Sequence, residues 1–176
     1  AKLIAELSKA AGIKYVCLPK QMYNVDTAYS STNIRKLIGE GNIRLANTLI
    51  EHNYTITAKV QHGNKLGRTL GFPTANLSIA DYATPKYGVY LVYAYVDGTK
   101  YQAIANFGLR PSVSNEKKEL LEVHLFDFSG DLYEKEISVE FIDFIREEQK
   151  FASLDALKNQ LEQDKIFALN YFNKQG

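Results

Sequence analysis

Tryptophan is absent from this chain of 176 residues, and cysteine and methionine occur once each. A single cysteine permits neither an internal disulfide nor a cysteine zinc cluster, which excludes the stapled secreted scaffolds and fits a reducing compartment. Cys17 lies in I-K-Y-V-C-L, the setting of a buried strand residue. A charge bias is missing too: 21 basic residues face 20 acidic ones, so no electrostatic case exists for a nucleic-acid partner. The three histidines, His52, His62 and His124, stand apart in sequence, which argues against a histidine metal site. No apolar run approaches the ~20 residues needed to cross a bilayer, and no secretion signal opens the chain, so no membrane partner and a cytoplasmic location are expected. The chain begins at Ala1 directly in a helical pattern and is expected to be a fragment or processed form. With 45% hydrophobic residues it can bury a core without staples.

Residues 63–77 read G-N-K-L-G-R-T-L-G-F-P-T-A-N-L, which brings glycines, cations and hard oxygen ligands together. Gly63, Gly67 and Gly71 allow close backbone approach, and Lys65 and Arg68 can meet phosphate oxygens. Thr74 and Asn76 share one face of an extended segment. Their hydroxyl and amide carbonyl could complete the shell of a magnesium ion that also takes phosphate oxygens. The stretch does not fit the P-loop, because Arg68 follows Gly67 where a lysine is required. It also fits a glycine-rich hairpin with no ligand, and spacing alone does not separate the two readings.

Along the chain, residues 2–11 carry Leu3, Ile4, Leu7 and Ala11 at helical spacing with a stop at Gly12. The run 13–18 reads as a strand of a parallel sheet. Ser30, Ser31 and Thr32 then offer N-caps to a helix with Ile34, Leu37 and Ile38, and a further helix carries Ile43, Ala46 and Leu49. This is the tail of an α/β unit. From Tyr54 the pattern turns to strands at 54–60, 88–96, 99–106, 120–128 and 136–145, with a hairpin signal at Asp97-Gly98. Such a series predicts a closed or nearly closed antiparallel barrel. A final helix capped by Ser153 offers Leu154, Leu157, Leu161, Phe167 and Leu169 as the stripe that packs on it, and 115–119 reads as a polar loop.

Residues 120–126 alternate so that Leu121, Val123 and Leu125 share one face and Glu122 and His124 the other. A carboxylate on a rigid strand is well placed to accept a proton from a hydroxyl that attacks phosphorus. The same pattern fits a solvated sheet face. Residues 106–112, N-F-G-L-R-P-S, read as a strand end in a tight turn with an exposed arginine. Arg146, at the exit of the last strand, could serve a phosphate or cap carbonyls.

Taken in order, G-R-T-L-G-F-P-T-A-N-L, Y-G-V-Y, N-F-G-L-R-P-S-V, L-E-V-H-L-F-D-F and K-F-x-S-L-x-x-L-K-x-Q-L-x-x-D resemble the riboflavin kinase domain of bacterial bifunctional riboflavin kinase/FAD synthetases over residues 54–172. The resemblance implies a mainly β fold, an antiparallel Greek-key-like six-stranded barrel with a C-terminal helix. It implies transfer of the ATP γ-phosphoryl group to the ribityl hydroxyl of riboflavin, giving FMN and ADP, with Mg2+. Thr74 and Asn76 then stand as metal and phosphate ligands and Glu122 as general base. Gly63, Gly67, Arg68 and Gly71 belong to a flap over the nucleotide, Asn106 and Arg146 to the binding residues, and residues 129–133 to a flap over the flavin. Departures are Glu134 where glycine is frequent, Phe107 and Ser112 for isoleucine and threonine, and Glu147 where proline is common. The S-S-T-N-I-R run at 30–35 is similar to the phosphate-binding helix start of the preceding FMN adenylyltransferase domain. Its His-x-Gly-His partner is absent from the sequence, so this chain alone is not expected to make FAD. The expected division is 1–52 for that incomplete domain and 53–176 for the kinase. The competing expectations are a catalytically silent flavin-binding module and an oligonucleotide-binding barrel; oligomeric state is not predicted.

Overall fold

A computed structural model describes residues 2–17, 19, 21–24, 27–63, 66–111 and 117–174. The expected roles of Lys65 and Ser112, and residues 115 and 116 of the polar loop, lie outside them. The chain divides into two compact units, Ala1–Asn33 and Ile34–Gly176. Among the described residues no helix is long and apolar enough to cross a membrane.

In the first unit, helix α1 (Lys2–Ala10) buries none of its residues. It stops at Gly12, which takes φ +68° while Ile13 N–H returns to Ser8 O, a glycine-dependent helix end. Residues 13–17 form no strand and are exposed, Cys17 included, contrary to the sequence expectation. A strand exists through pairing, and an isolated bridge between Met22 and Ala28 is the one β contact described in this unit. The helix start at Ser30 is as expected: its Oγ accepts from Asn33 N–H (3.2 Å) at the head of α2 (Ser31–Gly39).

The second unit continues through α3 (Ile43–Ile50), β1 (Thr55–Lys59), the single turn α4 (Leu66–Thr69), β2 (Ala75–Leu77), β3 (Gly88–Val96), β4 (Thr99–Pro111), β5 (Lys117–Leu125), β6 (Glu136–Arg146) and α5 (Leu154–Asn173). The strands pair antiparallel in the order β1-β6-β3-β4-β5-β2. Beyond β1, Gln61 N–H donates to Asn76 O (2.8 Å), which brings the two edges together into a nearly closed barrel. The β3–β4 hairpin turns on Asp97 and Gly98 at φ +49° and +80°, the doubly left-handed turn that matches strand twist.

Alternation along each strand fills the barrel with Tyr90, Val92, Phe107, Leu121, Val123 and Phe141, joined by Ile43 and Ala46 of α3. The opposite face of β3 and β4 is apolar as well: Val89, Leu91 and Ile104 pack with Phe126 against Ala168 and Phe172 of α5. Burial on both faces explains why β3 reads G-V-Y-L-V-Y-A-Y-V with no polar alternation. The helix stripe differs from expectation. Leu154 and Phe167 are exposed, and the buried residues of α5 are Asp164, Ala168 and Phe172.

An aspartate belongs in that stripe because β6 sends an arginine to it. Arg146 Nε and Nη2 donate to Asp164 Oδ1 (2.9 Å) and Oδ2 (2.6 Å), and Gln160 adds a third donor to Oδ1 (3.0 Å). Asp164→Ala strands the guanidinium in a nearly dry contact, a loss of about 3 kcal/mol. The urea midpoint is expected to fall accordingly; an unchanged midpoint means that water solvates Arg146 in the variant.

The expected turn at 106–112 is also corrected. Strand β4 runs straight through to Pro111, with Gly108 opposite Leu120 and Arg110 opposite Lys118, so residues 117–119 are strand rather than loop. Gly108 is there for space: a Cβ on it would lie 2.1 Å from Glu148 Oε1. Glu134, where the resembled family often has glycine, takes φ +63°. Its ion pair with Lys59 (2.6 Å) is exposed and adds little. Glu134→Gly is therefore expected to raise the melting temperature by about 2 °C, read in a thermal melt. A fall would show that the Lys59 pair outweighs the backbone strain.

Candidate active site

One row of residues crosses five strands. Asn76 on β2 lies opposite Glu122 on β5, Glu122 opposite Asn106 on β4, Asn106 opposite Val89 on β3, and Val89 opposite Arg146 on β6. Directly opposed residues share a face. An amide, a carboxylate and a second amide thus stand side by side on the outer wall, from positions far apart in the chain.

Against this wall lies a cavity of about 370 Å³, bounded beyond by α5 and the segment before it. Its polar side carries Thr74, Asn106, Arg110, Glu122 and Glu148; Phe72, Ile104, Phe151, Leu157 and Leu161 make it apolar elsewhere. A smaller pocket, about 80 Å³, opens at the barrel end between Arg68, Ala75, Val123 and the loop carrying Asp131 and Tyr133. Thr74 lines both. The loop 129–133 contributes to the smaller pocket and to no part of the larger cavity.

Of the glycine segment, Gly67 and Leu70 line the larger cavity and Arg68 the smaller pocket. A Cβ on Gly67 would meet the Phe72 backbone carbonyl at 2.3 Å, which excludes any side chain there, and one on Gly63 would sit 2.0 Å from Asn76 Nδ2 and displace that amide. Gly71 instead supplies φ +83° just before Phe72-Pro73. Asn76 is only 7% exposed, and its Oδ1 is buried with no hydrogen-bond partner. A dry acceptor two residues from a pocket-lining threonine fits a cation. No group of three His, Cys, Asp or Glu among the described residues could hold a metal unaided, so a cation here would need oxygens from its ligand.

Glu122 accepts twice on Oε2, from Arg110 Nε (3.1 Å) and Nη2 (2.6 Å), while Arg110 Nη1 reaches Glu148 Oε1 (3.3 Å). Burial works against the Arg110 charge, but Glu122 and Glu148 outweigh it and hold the guanidinium above its ordinary pKa. His124 is 8% exposed, because α5 covers the face that was open to reading as solvated. Burial pushes its pKa down, and its Nδ1 is 2.8 Å from Pro73 O. A carbonyl can only accept, so Nδ1 carries the proton and pins the residue before Thr74.

Of the residues expected from sequence, Gly67, Thr74, Asn106, Glu122 and Arg146 line the larger cavity, Arg68 the smaller pocket, and Asn76 the row between them. Arg146 reaches the cavity already engaged by Asp164. Sequence reasoning missed Arg110 as a partner of Glu122 and missed Glu148 altogether. The signal for Arg110 was its spacing: on a continuous strand it shares the face of Asn106, four residues earlier.

Residues 50–172 match the family model described as Flavokinase: Riboflavin kinase. The chain belongs to the riboflavin kinase family. The bifunctional riboflavin kinase/FMN adenylyltransferase of Buchnera aphidicola subsp. Acyrthosiphon pisum is 43% identical over 172 residues, 95% of this chain and 55% of that protein. The chain spans about half the length of the curated relatives it matches. A solved structure described as a macrolide-efflux protein from Streptococcus pneumoniae is 34% identical with TM-score 0.80, covering 94% of this chain and 54% of that one. The riboflavin kinase of Trypanosoma brucei, 21% identical with TM-score 0.50 over 68% of this chain and 80% of its own, shares the fold. The riboflavin kinase barrel expected from the motifs is therefore the one observed.

Proposed function

We propose that this chain transfers the γ-phosphoryl group of ATP to the ribityl 5'-hydroxyl of riboflavin, releasing FMN and ADP. The observation that carries the reading is Thr74, the residue common to the two pockets, with Glu122 on the wall of the larger one. The half-apolar cavity suits a flat ring system with a polyhydroxyl tail, and the Arg68 pocket suits polyphosphate. Loop 129–133 then borders the nucleotide rather than the flavin. The smaller pocket must widen to admit ATP, and Arg68 and residues 130–133 are the walls that would have to give way.

In the transfer, the ribityl oxygen forms the new bond to the γ-phosphorus as the bridge to the β-phosphate breaks, and the hydroxyl proton passes to Glu122 Oε1. Both Arg110 bonds lie on Oε2, so Oε1 is left to the substrate. Thr74 Oγ1 and Asn76 Oδ1 would hold a magnesium ion together with phosphate oxygens, and that ion, when bound, neutralises charge on the transferring group. Gly63, Gly67 and Gly71 bring backbone close to the phosphates, and Arg68 meets their charge. Asn106 orients the hydroxyl-bearing tail, and Arg146 completes the cavity wall. His124 fixes Pro73 and hence the approach of Thr74. Closure excludes water, which would otherwise take the phosphoryl group.

Residues 1–52 are assigned to the end of an FMN adenylyltransferase unit and 53–176 to the kinase, so a longer parent protein would also make FAD. The test is chromatography of flavins after incubation with riboflavin, ATP and magnesium. FMN without FAD is expected; binding of both substrates without FMN would move the reading to a silent flavin-binding module.

A further inference from the structure

Glu148 has no part in the chemistry described above, yet the fold goes to some length to place it. Its carboxylate occupies the space left by the missing side chain of Gly108, where a Cβ would sit 2.1 Å from Oε1 and 2.5 Å from the carboxylate carbon. From there Oε1 accepts from Arg110 Nη1 (3.3 Å) and Asn106 Nδ2 (3.4 Å). Arg110 in turn presents its other edge, Nε and Nη2, to Glu122 Oε2. Asn106, Gly108 and Arg110 alternate along β4 on the face that carries Glu122 across the ladder. Two carboxylates therefore hold one guanidinium from opposite sides.

We propose that Glu148 and Arg110 are positioning residues for the kinase reaction: Glu148 fixes the Arg110 plane, and Arg110 fixes the Glu122 carboxylate so that Oε1 faces the ribityl hydroxyl. The role rests on the kinase reading. The geometry supplies the reason for two acids. Without Glu148, Nη1 would keep only its bond to the neutral carbonyl of neighbouring Leu109 (3.3 Å), and the planar fork could swing about the Glu122 carboxylate and turn Oε1 into the donor set, where it cannot accept a substrate proton. An anchor on Nη1 removes that freedom. The second negative charge also offsets the guanidinium, so Glu122 is held in place without its charge being cancelled.

Two substitutions reach Glu148 by different routes. Glu148→Gln keeps its shape and removes its charge. Gly108→Ala leaves every charge in place and displaces the carboxylate, at small cost to the fold because the clash is with the end of a flexible side chain. Both are expected to lower kcat by about tenfold with KM for riboflavin within about twofold, because the loss is of alignment rather than of binding. Arg110→Gln lowers kcat at least as far. The decisive measurement is the double variant: Glu148→Gln adds no further loss in an Arg110→Gln background if it acts only through Arg110. Melting temperatures of all four proteins check that the fold is kept. Wild-type turnover with additive losses, or with kcat unchanged in both Glu148→Gln and Gly108→Ala, overturns this role alone. A wild-type chain that makes no FMN overturns the kinase reading and the role with it.

Discussion

Glu122→Gln is expected to lower kcat by about 10²- to 10³-fold while KM for riboflavin stays within about twofold. Glutamine preserves the length and one acceptor for Arg110 but can no longer take a proton. The size of the effect follows from the nature of phosphoryl transfer. In a loose transition state the attacking hydroxyl needs little activation until late, so a base contributes less than it would in acyl transfer. Alignment in the cavity and charge neutralisation at the phosphate survive the substitution and sustain the residual rate. Stability should change little, because Glu122 is only half-buried and its Arg110 partner keeps Glu148. Steady-state kinetics with riboflavin varied at saturating ATP measures the split. Turnover near wild type removes Glu122 as the base, and a large rise in KM with kcat kept would make it a binding residue instead.

Much of the barrel was legible because two physical signals are local. Alternation fixed the inward face of β5, where Leu121, Val123 and Leu125 all join the barrel core, and Asp97-Gly98 marked the β3–β4 hairpin through the positive φ that both residues take. The failures share a cause, which is that one residue type answers several demands. Gly108 looked like a turn because glycine usually signals backbone freedom, whereas here it makes room for Glu148. Residues 13–17 looked like a strand because they are apolar and β-prone, yet a strand needs a paired neighbour and none pairs with them among the described residues. Phe167 was placed in the α5 stripe by hydrophobicity, while the position facing the barrel went to Asp164, whose reason for being there is an arginine 18 residues away.

The site divides the same way. Glu122 and the Thr74/Asn76 pair, proposed above as base and cation ligands, could be picked from their motifs, because the residue type and the local face suggest that chemistry. The alignment of Asn76 and Glu122 with Asn106 and Arg146 could not, because register between strands is set by the whole sheet rather than by any one segment. The ion pairs that hold the site fall into the same blind spot. Arg110 and Glu148 have ordinary surface residue types, and only the approach of β4 to the segment after β6 turns them into a pair.

Asn76→Leu is expected to abolish kinase activity, by more than about 100-fold, while leaving the protein as stable or more stable by about 1 kcal/mol. A buried core position normally loses stability on substitution, so the opposite sign is informative. Asn76 Oδ1 is buried and has no hydrogen-bond partner, and an unmet acceptor of this kind costs the folded state about 1–3 kcal/mol. Leucine has the same branched outline and no polar atom. Its rounder tip presses on Gly63, whose Cα side already stands close to Nδ2, and that contact reduces the gain. In the proposed mechanism a cation arriving with the nucleotide would satisfy the orphaned oxygen, so its cost in the free protein would be recovered in the loaded one. Urea unfolding with and without magnesium and ATP separates the terms. Wild type should gain stability from the pair of ligands together, and Asn76→Leu should start as high and gain much less. A variant that unfolds more easily than wild type would mean that Oδ1 is solvated after all, and one that still makes FMN at the wild-type rate would remove Asn76 from the metal site.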